Sequence, residues 1–167
     1  MIRRVLVRSG RCVGCRSCEI ACMHHHLGES NGDLGSRPLA VPRIKVECGV
    51  LDRTQIPSSG SEDMSCRGNL RKTVVILCQH CDEPECVGAC IAGALTKDQD
   101  GAVRHHPELC IGCLLCIMAC PYEAMYRDPL GKTVVKCDLC GGKETPSCVE
   151  ACKVGALYLE SDSGGGK

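Results

Sequence analysis

Cysteine is the residue type whose number and spacing indicate a chemistry in this 167-residue chain. The stretch from Cys110 to Pro121 has the spacing C-x-x-C-x-x-C-x-x-x-C-P. Gaps of two residues let one tight loop direct three thiolates at a single cubane 4Fe-4S cluster, and the fourth thiolate, one helical turn later, reaches a different cluster. A complete motif of this kind therefore implies a second motif folded against it.

Sixteen of the 18 cysteines form four groups of four. They are group one (Cys12, Cys15, Cys18, Cys22), group two (Cys78, Cys81, Cys86, Cys90), group three (Cys110, Cys113, Cys116, Cys120) and group four (Cys137, Cys140, Cys148, Cys152). A glycine before the second cysteine of groups one and three permits backbone conformations that a side chain would obstruct. Structural zinc is the alternative for any C-x-x-C pair, but zinc normally takes two separated pairs and fits the third and fourth cysteines poorly.

An internal repeat pairs the groups. Lys-Thr-Val-Val precedes group two at 72–75 and group four at 132–135, and Gly-Ala-Leu follows these groups at 93–95 and 155–157. A unit used twice places groups two and three in a central unit, and groups one and four in the other. Cross-ligation then predicts four ligand sets. They are Cys12, Cys15, Cys18 and Cys152 (cluster 1); Cys78, Cys81, Cys86 and Cys120 (cluster 2); Cys110, Cys113, Cys116 and Cys90 (cluster 3); and Cys137, Cys140, Cys148 and Cys22 (cluster 4).

The composition requires something other than a normal core to hold the chain together. It has three tyrosines, no phenylalanine and no tryptophan, whereas large aromatics supply much of the buried area of most cores. Disulfides or metal must compensate. Disulfides need an oxidising compartment, but residues 1–8 lack an apolar signal core and no stretch reaches the ~18 apolar residues of a membrane span. We expect a cytoplasmic protein with metal-bound thiolates.

The formal net charge of zero counts every cysteine as neutral. An oxidised 4Fe-4S cluster with four thiolates carries about −2, so several clusters would make the protein acidic. Basic residues beside the groups either offset this charge or are simply solvated: Arg11, Arg16, Arg71, Lys72, Lys132 and Lys136.

Local patterns predict the elements that carry the groups. Strands at 3–9 and 156–160 are expected to pair, and a hairpin is expected around Asp100-Gly101. The helix of group one, which lacks a proline after Cys22, is expected to continue through His24, His25 and His26 to about Gly28. Because consecutive helical residues face different directions, we interpret these histidines as surface or packing residues, with contact to a cluster edge or a partner as the alternative.

Residues 28–71 contain few cysteines and many glycines, prolines and serines. We predict an insertion loop that forms a subunit contact, with an exposed strand at 43–47. Cys48 and Cys66 lie here, outside the four groups. They are interpreted as buried thiols, or alternatively as zinc ligands completed by histidines. The tail at 161–167 is expected to be disordered.

The chain resembles the four-cluster iron–sulfur subunits of the dimethyl-sulfoxide-reductase and formate-dehydrogenase type, including relatives in tungsten aldehyde oxidoreductase, hydrogenase and carbon monoxide dehydrogenase systems. The resemblance rests on residues 78–86, Asp100-Gly101, 110–113, 119–122, 136–140 and 148–152. Family members often have proline after the last cysteine of groups two and four, where this chain has Ile91 and Lys153.

The resemblance implies an α+β fold of two tandem ferredoxin-like units. The first unit would comprise 1–27 and 132–160, the second 72–131, with 28–71 as the insertion. It also implies an electron-transfer subunit whose four 4Fe-4S clusters connect a catalytic subunit, most often of the molybdenum- or tungsten-pterin class, with ferredoxin or another carrier. A hydrogenase or carbon monoxide dehydrogenase is the alternative partner.

Two other classes of protein stay open, a free polyferredoxin and a zinc-stapled interaction module. A catalytic site of its own is not expected, since no nucleophile and base pair, phosphate loop or open cluster position stands out. Nucleic-acid binding is disfavoured because the chain is not basic and has almost no aromatic stacking platform.

Cross-ligation predicts different outcomes for two neighbouring substitutions. We expect Cys116→Ser to disrupt the cluster of group three and Cys120→Ser to disrupt the cluster of group two, because the fourth thiolate crosses over. EPR spectra of the reduced variants would identify the missing cluster in each. Loss of the same cluster from both would contradict cross-ligation.

Overall fold

The computed structural model describes residues 3–27, 41–50, 71–129, 131 and 133–160, with the side chains of 49, 50, 71 and 72 left undescribed. Cys66, most of the predicted insertion and the predicted disordered tail lie outside these residues. Within them, four short antiparallel pairs of strands and small helices form an α+β fold, as expected. No helix among these residues has the length and apolarity needed to cross a membrane.

The two ends of the described chain pair with each other. Strand β1 (Arg4–Val7) lies antiparallel to β8 (Leu157–Glu160), with Val5 opposite Leu159. Arg4 and Glu160 form an ion pair across the first position of this ladder. The predicted pairing of the opening and closing strands is confirmed, and it places group one beside group four.

Helix α1 (Ser17–Leu27) begins inside group one and continues beyond Cys22, as predicted. It packs against α5 (Ser147–Glu150), which carries Cys148 of group four. The helical turn α4 (Leu139–Gly142) follows the first cysteine of group four. Two groups far apart in sequence therefore face each other.

Groups two and three are carried by smaller elements. Helix α2 (Glu85–Gly88) packs against α3 (Leu115–Ala119). The hairpin of β4 (Leu95–Lys97) and β5 (Val103–His105) turns at Asp100-Gly101, which confirms that prediction. Strands β6 (Met125–Arg127) and β7 (Val134–Lys136) form the hairpin that follows group three.

The strand predicted at 43–47 is not exposed on both faces. Strand β2 (Ile44–Val50) pairs with β3 (Arg71–Leu77), and Ile44 and Val46 are both 2% exposed. Lys45 and Glu47 point outward and form an ion pair. Alternation alone did not reveal what the apolar face packs against, because that surface comes from α1 and other elements of one hydrophobic core.

Two hydrophobic cores lie beneath the cysteines. The first combines Val5, Ile44, Val46, Leu77, Leu139 and Leu157 with Cys18, Cys22 and Cys148. The second combines Leu95, Val103, Met125 and Val134 with Cys116. Leu77, from the strand entering group two, packs in the first core, whereas Val134, from the strand entering group four, packs in the second. These two strands cross the division between the units that the sequence predicts.

Removing the buried face of β2 should weaken the first core. Ile44→Ala deletes side-chain atoms from a closely packed site, a change that typically costs about 2–5 kcal/mol. We expect the visible absorbance of the anaerobic protein to be lost at a lower guanidinium concentration than in the wild type. Val74 on the paired strand is 45% exposed. The free energy of unfolding of Val74→Ala should therefore stay within about 0.5 kcal/mol of the wild-type value. Equal effects of the two substitutions would contradict the observed packing.

Candidate metal centres

One backbone feature recurs in all four cysteine groups. The residue before the second cysteine has a left-handed conformation, with φ of 69° at Gly14, 47° at His80, 70° at Gly112 and 57° at Leu139. This turns the chain so that successive cysteines of the loop face the same side. The predicted role of Gly112 is confirmed, and groups two and four use larger residues for the same turn.

The left-handed His80 and Leu139 are unusual because such a conformation costs a side-chain-bearing residue about 1–2 kcal/mol. Each side chain is only 1% exposed. Burial of the Leu139 side chain and the hydrogen bond that His80 Nδ1 accepts from Val103 N–H, 3.0 Å long, offset this cost. These two loops are therefore fixed by side-chain packing where groups one and three rely on glycine.

A second turn recurs after the last cysteine of three groups. The N–H of Gly93, Glu123 and Gly155 donates to the carbonyl of Cys90, Cys120 and Cys152, respectively, at 3.0–3.2 Å. Each of these donor residues has a positive φ. The alanine that follows, at 94, 124 or 156, is at most 1% exposed. The small alanine side chain therefore lets the backbone after each turn pack closely against the last cysteine of the group.

Several cysteine sulfurs accept hydrogen bonds from backbone N–H groups. Ala94 donates to Cys90 and Ala156 donates to Cys152, both at 3.2 Å. Cys22 lacks the turn because α1 continues past it, and Arg43 N–H donates to its sulfur instead, also at 3.2 Å. Hydrogen bonds of this kind stabilise a thiolate and tune a metal centre bound to it.

Two cavities are each lined by four cysteines. One is bordered by Cys90, Cys110, Cys113 and Cys116. The other is bordered by Cys78, Cys81, Cys86 and Cys120. In each cavity three cysteines of one group meet the last cysteine of the other. These are the sets that cross-ligation predicts for clusters 3 and 2.

Groups one and four also converge. Burial raises the pKa of Cys148, and the nearby thiolates of Cys137, Cys22 and Cys140 add to this shift. Those four cysteines are the set predicted for cluster 4. Cys18 lies near Cys12, and Cys152 packs against the first core, to which Cys18 belongs. The charge of Cys78 also raises the pKa of Cys137, so these two cysteines lie close together. Group two and group four therefore meet at this point.

Burial makes bare thiolates unfavourable at these positions. Desolvation is the main reason that the pKa rises to about 11 at Cys18, Cys22 and Cys86 and to about 12 at Cys137. Metal-free thiols would therefore retain their protons. A bound metal supplies the positive charge that replaces them, so metal binding and folding are coupled.

Positive side chains hold the carbonyls of the cysteine loops. Lys136 is 3% exposed, and its Nζ donates to the carbonyls of Val103 and Cys137. Lys97 donates to the carbonyl of Cys81 at 3.0 Å. Lys136, one of the six basic residues noted from the sequence, is therefore buried and hydrogen-bonded inside the protein and is not simply solvated. The contacts of Lys97 had no signal in the sequence.

Asp138 organises the loop of group four. Its Oδ1 accepts from Cys140 N–H at 3.0 Å, and its Oδ2 lies 2.5 Å from Arg43 Nη1. Burial alone would raise the pKa of Asp138, but the charge and hydrogen bond of Arg43, the charge of His26 and the Cys140 N–H lower it overall. Arg104 Nη1 donates to the carbonyl of Asp138 at 3.3 Å, which ties this loop to the β4–β5 hairpin.

The histidines of α1 differ from one another. His26 is 6% exposed, and its Nε2 lies 3.6 Å from Asp138 Oδ1. The ligand atoms of His25, His26 and Cys140 lie within 4.8 Å of one another. His24 instead borders an open groove between α1 and α5. The packing interpretation fits His26, which also lies beside a predicted ligand of cluster 4.

Cys48 is exposed, so its interpretation as a buried thiol was wrong. Its sulfur lies over the loop of group one, where a Cβ added to Gly14 would be 2.8 Å away. Strand β2 brings it there, a contact that sequence spacing could not reveal. Cys48 is not part of the metal-ligand set formed by His25, His26 and Cys140.

Three buried polar atoms in the described residues have no hydrogen-bond partner: His80 Nε2, His105 Nε2 and Tyr126 Oη. His80 lies between two cysteines of group two, and His105 borders the cavity of group three.

Loss of the Asp138 carboxylate should selectively weaken the site of group four. Asp138→Ala removes the acceptor for Cys140 N–H and the ion pair between Asp138 and Arg43. We expect the loss of about four irons per chain, the content of one 4Fe-4S cluster, measured after anaerobic gel filtration. Asp82→Ala is the matched control, since Asp82 also follows a cysteine but its side chain is 63% exposed. Unchanged iron in both variants would show that the carboxylate is dispensable.

Comparison with known proteins places these centres in a family. Residues 72–162 match the family described as the 4Fe-4S dicluster domain. The chain is 35% identical over 153 residues to the B subunit of anaerobic dimethyl sulfoxide reductase from Haemophilus influenzae, covering 89% of this chain and 69% of that protein. It is 37% identical over 153 residues to Protein NrfC of Escherichia coli K12, covering 87% of this chain and 59% of that protein.

Among solved structures, the active-site complex BamBC of benzoyl coenzyme A reductase with benzoyl-CoA aligns over 95% of this chain and 79% of its own, with 25% identity and a TM-score of 0.44. The family match covers more than half of the chain, and the chain covers more than two thirds of the Haemophilus relative. The chain therefore belongs to the 4Fe-4S dicluster family, among the iron–sulfur subunits of the dimethyl sulfoxide reductase type.

Proposed function

We propose that this chain is an iron–sulfur electron-transfer subunit whose sixteen grouped cysteines hold four 4Fe-4S clusters. The observation that carries the proposal is the pair of cavities in which three cysteines of one group meet the last cysteine of another. A zinc-stapled module would not need this crossover, because structural zinc normally takes its four ligands as two separated pairs. A 4Fe-4S cluster supplies one-electron chemistry, and its potential depends on hydrogen bonds to sulfur, burial and nearby charge.

The contacts of the third cysteines support the proposed ligand sets. Cys86 lies among Cys78, Cys81 and Cys120, and Cys116 lies near Cys90 and Cys110. Cys148 lies among Cys137, Cys140 and Cys22. These contacts support clusters 2, 3 and 4, respectively. Cluster 1 takes the remaining set of Cys12, Cys15, Cys18 and Cys152.

The same contacts suggest how the clusters are ordered. Cys148 is also near Cys18, which connects clusters 4 and 1. Cys137 is near Cys78, which connects clusters 4 and 2. Cross-ligation between groups two and three connects clusters 2 and 3. We therefore infer a single line in the order 1, 4, 2, 3, which crosses between the two units where Lys136 is buried.

The two units are proposed to be copies of one ancestral ferredoxin-like unit. The recurrent left-handed turns at Gly14, His80, Gly112 and Leu139 support this interpretation. Groups two and three would define one unit, with 72–131 as its main segment. Groups one and four, in 1–27 and 132–160, would define the other.

The proposed partners are a catalytic oxidoreductase subunit of the molybdenum- or tungsten-pterin class and a soluble carrier such as ferredoxin. One relative is named as the B subunit of a reductase, which supports a multi-subunit assembly. We propose that residues 28–71 contact the catalytic subunit and that the complex is cytoplasmic. A free polyferredoxin is the alternative, because the metal sites alone do not require a bound partner.

Anaerobic purification of the tagged chain from its native host tests the proposal. We expect about sixteen irons per chain, absorption near 400 nm that dithionite partly bleaches, and a copurifying large subunit. Zinc without iron would overturn the iron–sulfur assignment. Full iron without any copurifying subunit would favour the free polyferredoxin.

Two serine substitutions separate ligands from bystanders. Cys113→Ser should lower iron by about four per chain or convert one cluster to a 3Fe form, because Cys113 borders the cavity of group three. Cys48→Ser, also at an exposed cysteine, should leave iron and EPR spectra unchanged. A loss of iron from Cys48→Ser would mean that Cys48 is a ligand.

A further inference from the structure

His105 borders the cavity of group three together with Cys90, Cys110, Cys113 and Cys116. It is the last residue of β5, and its backbone pairs with Leu95 of β4. A short helical turn at Pro107–Leu109 then leads to Cys110. The hairpin thus fixes the position of this imidazole relative to the first ligand of the group.

The Nε2 atom of His105 is buried and has no hydrogen-bond partner among the described residues. A buried polar atom without a partner loses its hydrogen bonds to water and gains none in return, so native proteins rarely retain one without a reason. The protein atoms that surround the cavity do not satisfy this nitrogen. An occupant of the cavity is in a position to supply the partner that the described residues do not provide.

The proposed occupant offers only acceptors. The sulfides and thiolates of a 4Fe-4S cluster carry negative charge, and no hydrogen on them is available for donation. Burial, together with the charges of Lys136 and His106, lowers the pKa of His105, which favours its neutral imidazole form. A neutral imidazole has one N–H donor. The tautomer with its proton on Nε2 is the one that such an occupant satisfies.

On the basis of the proposed function, we propose that His105 donates an Nε2–H hydrogen bond to a sulfur of cluster 3 and thereby tunes the potential of that cluster. A donor to sulfur stabilises the reduced cluster, which carries the greater negative charge. His105 therefore raises the reduction potential of cluster 3 relative to a site without this donor. Its action does not depend on a change in protonation.

His106 is a matched control beside it. Its Nε2 lies 3.1 Å from Thr96 Oγ1, and its Nδ1 lies 3.5 Å from Glu108 Oε1. It has partners within the protein and does not border the cavity. His105→Gln is the conservative variant, because its amide nitrogen can occupy a similar position and still donate.

The experiment uses the full chain, purified anaerobically with any bound subunit and labelled with ¹⁵N-histidine. Potentiometric titration followed by EPR should show a negative shift for one cluster in His105→Leu, none in His106→Leu, and a smaller shift or none in His105→Gln. Pulsed EPR should detect a ¹⁵N coupling to that cluster in the wild type and in His106→Leu, and lose it in both His105 variants.

Unchanged potentials and an unchanged ¹⁵N coupling in His105→Leu, with full iron, would overturn the hydrogen bond while leaving the four-cluster proposal intact. Absence of iron from the wild-type chain would instead overturn the proposed function. If His105→Leu fails to retain its iron, the ¹⁵N coupling in His105→Gln tests the hydrogen bond instead. Loss of the ¹⁵N coupling in that variant supports the hydrogen bond, and its persistence refutes it.

Discussion

One geometric feature organises the fold: the last cysteine of one group lies with three cysteines of another, as the two cavities of groups two and three show. A loop of three cysteines cannot by itself enclose a cubane cluster with a fourth thiolate from the following helical turn. The chain therefore has to bring two groups face to face. It does so locally for groups two and three, through α2 and α3, and over almost its whole length for groups one and four, through α1 and α5.

This constraint also explains how a chain almost without aromatics forms cores. Cys18, Cys22 and Cys148 belong to the first hydrophobic core, and Cys116 belongs to the second. The thiols take the place of large apolar side chains, but burial raises their pKa values, so they would stay protonated without metal. A bound metal stabilises the deprotonated thiolates, so the free energy of metal binding contributes to the stability of the fold.

Positively charged side chains inside the protein, as well as those at its surface, lie close to the cysteine groups. Lys136 and Arg104 donate to backbone carbonyls of group four, and both contact residues of the other unit. Buried cations need such partners, because an isolated charge in the interior is costly. In return they place positive charge between sites that would each carry net negative charge. The junction of the two units is therefore an electrostatic contact as well as a hydrophobic one.

The cysteine groups, the hairpin at Asp100-Gly101, the pairing of the chain ends and the length of α1 could be predicted from the sequence. The cysteine groups, the hairpin and the helix depend on residues close together in the chain, so local spacing is enough to specify them. The pairing of the chain ends follows from the internal repeat, which groups the two ends in one unit. The left-handed turns of His80 and Leu139 could not be predicted, because a side chain in that conformation is retained only through burial that distant residues provide.

The placement of Ile44, Cys48, Arg43 and His105 was decided by the tertiary structure for the same reason. Their surroundings come from elements far away in sequence: β2 lies against α1 and covers the loop of group one, while β5 carries His105 to the cavity of group three. The sequence by itself determined which residues could hold metal and how they are grouped, because cluster chemistry imposes fixed short spacings. The tertiary structure decided which side chains surround each site, because packing between distant segments leaves no periodic trace in the sequence.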